Sequence, residues 1–295
     1  MPTANLGIGS GLTSTLGTGT GTANLGTGSG LVADLKDPGA AAATYGTEYQ
    51  AVYDSLTTKP SDEIALVQNT MVVALVAAGI WAKLDVFYVF AQTTNGAGEA
   101  LKNWILPGTY DATAYNAPTF AALEGFTAGP LKYIDTNWNP NTNGVNYTLN
   151  ACSAGTYLRT DQIASTADFG VQGGTNQILL QTNTAGYTYI RVNGSSSNLV
   201  ACSDSRGLFI IRRSTSILPQ CYRNGSIYID GNRVSTSIPN FNMYVLAKNV
   251  EGSATLISSR QNSMFFAGGL LSEGEITAFT NAFEAYMDSN GKGII

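Results

Sequence analysis

The sequence predicts a mainly β protein: an antiparallel β-sandwich (jelly roll) with a helical lead-in, a C-terminal helix and an extended Gly-rich N-terminal arm. Three observations carry this. Charged residues make up only 12% of the 295-residue chain, against roughly 25% in an average globular protein, while apolar residues reach 44%, enough for a core. The polar remainder is largely uncharged, with 33 Gly, 33 Thr, 23 Ser and 24 Asn, a composition that favours short strands and tight turns. From about Leu106, short apolar runs alternate with turn signals, including Pro107-Gly108, Asn143-Gly144, Gly173-Gly174, Asn193-Gly194, Asn224-Gly225 and Asp230-Gly231. That spacing suits an antiparallel sandwich.

The chain divides into an arm (1–36), a mostly helical lead-in (37–105) and the sandwich with its closing helix (106–295). Met1–Ala33 carries no charge and no aromatic residue, and its nine glycines fall in three triplets of period two, at 7/9/11, 17/19/21 and 26/28/30. Thr3–Leu12 recurs as Thr22–Leu31 with one difference in ten positions, a genuine internal repeat. Alternation of period two suits extended backbone, and Gly on one face lets another backbone approach closely. One reading is a flexible Gly/Ser/Thr tail. The other is an arm that gains order by packing on other subunits. Its anchor candidates are Leu6, Gly7, Gly9, Leu12, Leu16, Gly17, Leu25, Gly26 and Leu31. Fully extended, it would reach on the order of 110 Å.

In the lead-in, Tyr49 and Tyr53 lie four apart, as on one helix face. After Lys59-Pro60, Ser61 is the expected N-cap, with Asp62 and Glu63 in the first turn where the helix dipole favours them. Ile64, Val67, Met71, Leu75 and Ala78 follow helical spacing, and Gly79 is the natural stop. Trp81–Ala91 is strongly apolar, and its pattern fits a buried helix or a buried strand equally. In the body, strands are expected at Ile178–Gln181, Tyr187–Val192, Leu208–Arg212, Ser226–Ile229, Met243–Lys248 and Met264–Phe266. Ser226–Val234 reads as a hairpin turning at Asp230-Gly231. Ser272-Glu273-Gly274-Glu275 is a capping box. It opens a helix whose Ile276, Phe279, Phe283 and Met287 share one face, with Asn290-Gly291 as its end.

Composition also excludes function classes. With no histidine, Ser-His-Asp, Cys-His and His-metal chemistry are impossible. Net charge is −5 with only 15 Lys plus Arg, so the basic patch a nucleic-acid binder needs is missing. The longest apolar stretch, Met71–Ala82, is 12 residues, short of the ~20 that a membrane span takes. The first basic residue is Lys36, so the basic start of a secretory leader is not expected. Cys152, Cys202 and Cys221 match no zinc spacing and no disulfide framework, and read as buried reduced thiols. There is no Gly-x-Ser-x-Gly elbow, P-loop or EF-hand run. The eight glutamates (48, 63, 99, 124, 251, 273, 275 and 284) contain one close pair, Glu273/Glu275, which the capping box explains. No cofactor, metal site or catalytic residue is expected.

Met243–Met287 resembles the end of a concanavalin A-like, laminin-G-like jelly roll. The matching features are the strand at Met264–Ala267, the bend at Gly268-Gly269, and Leu271-Ser272-Glu273-Gly274-Glu275-Ile276 opening the final helix. Ile227-Tyr-Ile-Asp-Gly231 resembles that family's turn. Thr57–Ala91, Ala100–Thr113, Ala117–Thr127 and Tyr133–Pro140 are similar to structural proteins of tailed bacteriophages that carry this domain. The likeness covers about residues 45–290 and leaves the arm outside.

The resemblance implies a non-enzymatic virion component: a head fibre, capsid decoration or tail appendage assembled in the host cytoplasm. Its implied partners are other virion proteins (capsid, portal or tail) and further copies of itself, with an outward lectin-like domain meeting a host or environmental glycan. The glycosidases of this superfamily use two carboxylates on one strand, in a Glu-x-Asp-x-x-Glu run that this chain lacks. The competing reading is a carbohydrate-binding module that is soluble and independent of a particle. Trp138, in the polar run Asn137-Trp-Asn-Pro140, is the candidate sugar contact, with packing at the sandwich edge as the other reading. Tyr157, Tyr187 and Tyr189 read as strand residues packing across a sheet.

Overall fold

The computed structural model describes residues 44–295; the anchor candidates of the arm lie outside the described residues. In chain order the elements are helices α1 (Thr47–Ser55) and α2 (Asp62–Ala77), then strands β1 (Leu84–Val89), β2 (Thr113–Tyr115), β3 (Thr119–Ala121), β4 (Gly125–Thr127), β5 (Tyr133–Asp135), β6 (Cys152–Leu158), β7 (Phe169–Gly173), β8 (Asn176–Thr184) and β9 (Tyr187–Gly194). There follow β10 (Asn198–Ala201), β11 (Gly207–Thr215), β12 (Leu218–Arg223), β13 (Ser226–Asp230), β14 (Tyr244–Val245), β15 (Lys248–Val250), β16 (Ser253–Thr255), β17 (Gln261–Gly268) and helix α3 (Glu273–Ser289).

Two sheets form the sandwich. The first runs β13-β12-β11-β6-β17-β4-β3, with β1 also on β17; the second runs β10-β9-β8-β7-β14-β5-β2, with β15 and β16 joined at β7. Pairing is antiparallel except where β15 runs parallel to β7. The predicted fold class is therefore the one observed, with its closing helix in place.

Strand alternation divides the first sheet between two cores. Val86 and Tyr88 of β1, Ala154 and Leu158 of β6, Phe209 and Ile211 of β11, and Phe265 and Ala267 of β17 point into the sandwich. Their neighbours Phe87, Val89, Tyr157, Leu208, Ile210, Met264 and Phe266 point the other way, into a second core under the three helices. Being buried on both faces, these strands read as continuous apolar runs with no visible period. That is why Trp81–Ala91 is ambiguous in sequence: Trp81–Lys83 is a short 3-10 turn, Leu84–Val89 is β1, and Phe90 and Ala91 follow it.

The helices begin where their caps predict. Ser61 accepts from the Ile64 N–H, and Ser272 and Glu275 form the complete capping box. Ile276, Phe279, Phe283 and Met287 are fully buried, Phe279 stacking on Phe266 at 4.5 Å. Each such side chain contributes roughly 1.5–3 kcal/mol of transfer free energy. The buried face of α2 is rotated from the expected one. Ala65, Gln68, Met71, Val72 and Leu75 are inward, and Leu66 and Val73 are exposed. Gln68 turns inward because Tyr49 Oη donates to its Oε1 at 2.6 Å and its Nε2 donates to Gln92 Oε1 at 3.0 Å.

The hairpin expected at Asp230-Gly231 is displaced. The turn lies at Asn224-Gly225, where φ is +52° and +80°, the left-handed pair that a type I′ turn requires. β13 then pairs back on β12. Gly231 serves a different need: a Cβ there would sit 2.4 Å from the Pro219 carbonyl oxygen.

Candidate functional site

The helices cover the outer face of the first sheet, so the outer face of the second is the open one. Alternation places Ile134, Phe169, Val171, Ile178, Leu180, Ile190, Val192 and Val245 in the sandwich core. The residues between them face outward. Register then sets a row across six strands. Tyr115 (β2) pairs with Tyr133 (β5), Asp135 two residues further along β5 pairs with Tyr244 (β14), Tyr244 pairs with Gly170 (β7), and Leu179 (β8) pairs with Arg191 (β9). At ~4.8 Å per strand step this row spans about 24 Å.

One end of the row is a tyrosine ladder. The Tyr115 and Tyr133 rings stack 4.8 Å apart at 3°, and those of Tyr133 and Tyr244 at 4.6 Å and 26°. These separations match the strand spacing, because the rings stand upright on the sheet and cover each other's faces. The surface left open is chiefly that of Tyr115, which sits on the edge strand and is 41% exposed; Tyr133 is half-buried and Tyr244 is buried. Burial raises the Tyr133 and Tyr244 phenols above their ordinary range, so they stay protonated and can donate. Beside them, Asp135 accepts from Asn137 N at 2.8 Å and Asn242 Nδ2 at 3.1 Å. Burial nevertheless pushes its carboxyl upward.

Beyond the ladder stand the two cations on the strands of this sheet, Lys248 on β15, which shares its register partner Gly170 with Tyr244, and Arg191 on β9, beside a second aromatic pair. Tyr187 and Tyr189 lie with ring centroids 6.4 Å apart, Tyr187 being 43% exposed. The strands of this sheet carry one carboxylate, Asp135. Those of the first sheet carry Asp85 on β1 and Asp230 on edge strand β13, so no strand in either sheet presents two.

Trp138 lies elsewhere. It is fully buried in the sandwich core and packs edge-on to Tyr147 at 5.7 Å, so its ring offers no face to a sugar. The polar sequence around it misleads because Asn137 and Asn139 turn outward into loop hydrogen bonds while Trp138 turns in. Tyr157 does pack, beneath α3, its hydroxyl donating to Glu284 at 2.5 Å. Tyr187 and Tyr189 lie on the open face. Sequence reasoning passed over Tyr115, Tyr133, Tyr244, Arg191 and Lys248. Their alternation in Thr-Ala-Tyr115, Tyr133-Ile-Asp and Tyr189-Ile-Arg191 was visible, but which strands lie side by side was not.

No protein-family model matches the chain, and no curated protein matches it in sequence. Solved structures match it in fold. A mutant of Trypanosoma rangeli sialidase displaying trans-sialidase activity has a TM-score of 0.52 at 12% identity, covering 75% of this chain and 39% of that one. A botulinum neurotoxin type C structure, of a toxin whose cell entry depends on interaction with two ganglioside molecules, gives 0.50 at 9% identity, covering 70% and 52%. The botulinum neurotoxin serotype D binding domain gives 0.50 at 11%, covering 69% and 52%. The chain thus spans between 39% and 52% of the length of these structures. At such identities the likeness is one of fold, a β-sandwich found in a sialidase and in toxin binding domains alike.

Proposed function

We propose that this chain is a non-enzymatic glycan-binding β-sandwich that binds on the open face of its second sheet, and that it is displayed on a phage particle as a head fibre, capsid decoration or tail appendage. The observation that carries the binding reading is the Tyr115–Tyr133–Tyr244 ladder. It presents an exposed upright ring on an edge strand, held in place by the half-buried Tyr133 and the buried Tyr244 behind it, on the sheet face the helices leave open. Aromatic faces and fixed polar donors are the means by which shallow sites hold polar ligands with an apolar side. The dependence of the type C toxin on two ganglioside molecules, and a Trypanosoma rangeli sialidase solved in complex with sialic acid, support a glycan as the ligand of such a sandwich. Hydrolysis through the usual mechanism needs two carboxyls ~5–9.5 Å apart, and the strands of this face offer Asp135 alone.

Display on a particle rests on the resemblance to phage structural proteins and on the repeat in residues 1–36, which would contact capsid, portal or tail proteins and further copies of the chain. Assembly would take place in the host cytoplasm. The test has two arms. A glycan array and titration of the hits compare the parent with Tyr115→Ala, which should weaken binding about tenfold or more while the protein remains cooperatively folded. Co-sedimentation with purified particles compares the full chain with one lacking residues 1–36, and only the full chain should sediment. Glycan binding by both forms, with neither sedimenting, would favour a soluble module instead.

A further inference from the structure

Seven of the fourteen Lys and Arg side chains among the described residues are ion-paired, and the two cations of the open face are not. Lys83, Lys102, Arg206, Arg212, Arg223, Arg260 and Lys292 all lie within 4 Å of a carboxylate. Arg191 and Lys248 make no ion pair among the described residues. Each is held instead by a neutral amide: Arg191 Nη1 donates to Gln177 Oε1 at 2.7 Å, and Lys248 Nζ donates to Gln172 Oε1 at 2.8 Å. Arg191 Nε is buried without a partner. Both side chains are half-buried, and the two converge. Leu179 is the register partner of Arg191, and Gly170 lies next to Leu179. A Cβ on Gly170 would meet Leu179 Cδ1 at 2.9 Å and Lys248 Cγ at 3.3 Å. The cations therefore stand on either side of Leu179 and Gly170, Lys248 on the Tyr244 side of β7 and Arg191 beyond β8.

Placing two like charges together, partly out of water and without a counter-ion, is unfavourable in the free protein. Burial lowers the pKa of both groups, and Arg191 lowers that of Lys248 further. In a chain with net charge −5, carboxylates were available to compensate them, and none is placed there. The glutamine oxygens orient the side chains while leaving most of their N–H donors free. This is an arrangement whose electrostatic deficit an incoming oxyanion removes.

Resting on the glycan-binding reading, we infer that the saccharide this face takes is acidic, and that Arg191 and Lys248 hold its carboxylate or sulfate while the tyrosine ladder holds the neighbouring sugars. The two oxyanions share one recognition chemistry, so the probes separate them: a galacturonic acid hexamer, a heparin hexasaccharide and neutral maltohexaose.

The experiment titrates each probe, together with sodium glucuronate and inorganic sulfate, into the parent, Arg191→Gln, Lys248→Gln, Arg191→Lys and Tyr115→Ala. It is read by calorimetry and by the chemical shift of the Arg191 Nε–H. An acidic hexamer should bind, its affinity falling several-fold as salt rises. Arg191→Gln and Lys248→Gln should each weaken it about tenfold, and Arg191→Lys should retain more binding than Arg191→Gln. Whichever acidic probe responds identifies the oxyanion. Binding of maltohexaose alone, unaffected by Arg191→Gln, overturns this inference and leaves the glycan reading intact. Glucuronate or sulfate shifting the Arg191 signal with no oligosaccharide bound upholds the anion site and overturns the glycan reading. No shift and no binding with any probe overturns both.

Discussion

Asp168 and Arg260 form an ion pair at 3.1 Å with both side chains fully buried. Asp168 immediately precedes β7 in the second sheet and Arg260 immediately precedes β17 in the first, so the pair clamps the two sheets together. The carboxylate also accepts from Thr182 N at 2.7 Å, Thr182 Oγ1 at 2.8 Å and Ser258 Oγ at 3.4 Å. Arg260 donates further to Thr166 Oγ1 at 2.9 Å and to the Gln162 carbonyl at 2.7 Å. Asp168→Asn keeps the volume but removes the charge, and turns an NH2 toward either Arg260 or Thr182, both donors. An uncompensated buried guanidinium costs about 3–5 kcal/mol. For a body of this size, about 2–4 °C of melting temperature per kcal/mol gives a fall of roughly 6–20 °C. Denaturant titration and calorimetry measure it directly. The double variant Asp168→Leu/Arg260→Met should recover part of the loss, since it removes the unpaired charge but leaves Thr182 N–H and the Gln162 carbonyl without these partners. A loss under about 1 kcal/mol for Asp168→Asn would refute the view that this pair is a necessary inter-sheet clamp.

Further outcomes follow from packing and charge. Gly155→Ala on β6 would place a Cβ 2.5 Å from Phe266 Cε1 and 2.9 Å from the Phe209 carbonyl oxygen; overpacking of this kind costs about 1–3 kcal/mol, read as a lower denaturant midpoint. Cys152, Cys202 and Cys221 are buried, and burial pushes the Cys152 thiol up to about 11. Iodoacetamide at about pH 8 should therefore label none of the three in the native protein and all three after unfolding. Glu124 is held below its ordinary 4.5 by its bond from Lys292. With the folded pKa depressed, the unfolded chain takes up the proton first, so this contribution is present above pH 4.5 and lost as pH falls through the folded value. Asp85 and Asp135, raised by burial, act with the opposite sign. The test is therefore the difference between parent and Glu124→Gln, whose melting temperatures should converge on acidification.

Signals confined to a few adjacent residues were legible in the sequence. Ser61 and the Ser272/Glu275 box mark helix starts because capping is a local hydrogen-bond exchange. Tyr187–Val192 reads as a strand because one face is wet and alternation survives. β6 escaped notice, since Cys-Ser-Ala-Gly-Thr-Tyr-Leu has little β-branched character and is buried at every position. Small residues are needed there to admit Phe266 and Ile210. The tight turn at Ala185-Gly186, with φ +51° and +83°, was equally silent, because Ala seldom takes that conformation. The candidate site was the least legible part. Tyr115, Tyr133, Tyr244 and Arg191 come from four separate strands, and only the sheet order places them in one row. Of the two readings open for Trp138, packing is the one observed: its neighbours in the chain are polar, but the ring is fully buried.

The most direct test of glycan binding at the open face is the affinity of the full chain for a panel of acidic and neutral hexasaccharides, before and after Tyr115→Ala. Saturable binding of an acidic hexasaccharide is expected, falling about tenfold or more in the variant, while loss of the ring stack on Tyr133, worth about 0.5–1.5 kcal/mol, lowers the melting temperature by only roughly 1–6 °C. Binding that is unchanged by the loss of Tyr115, or carried by a surface other than the open face of the second sheet, would contradict it.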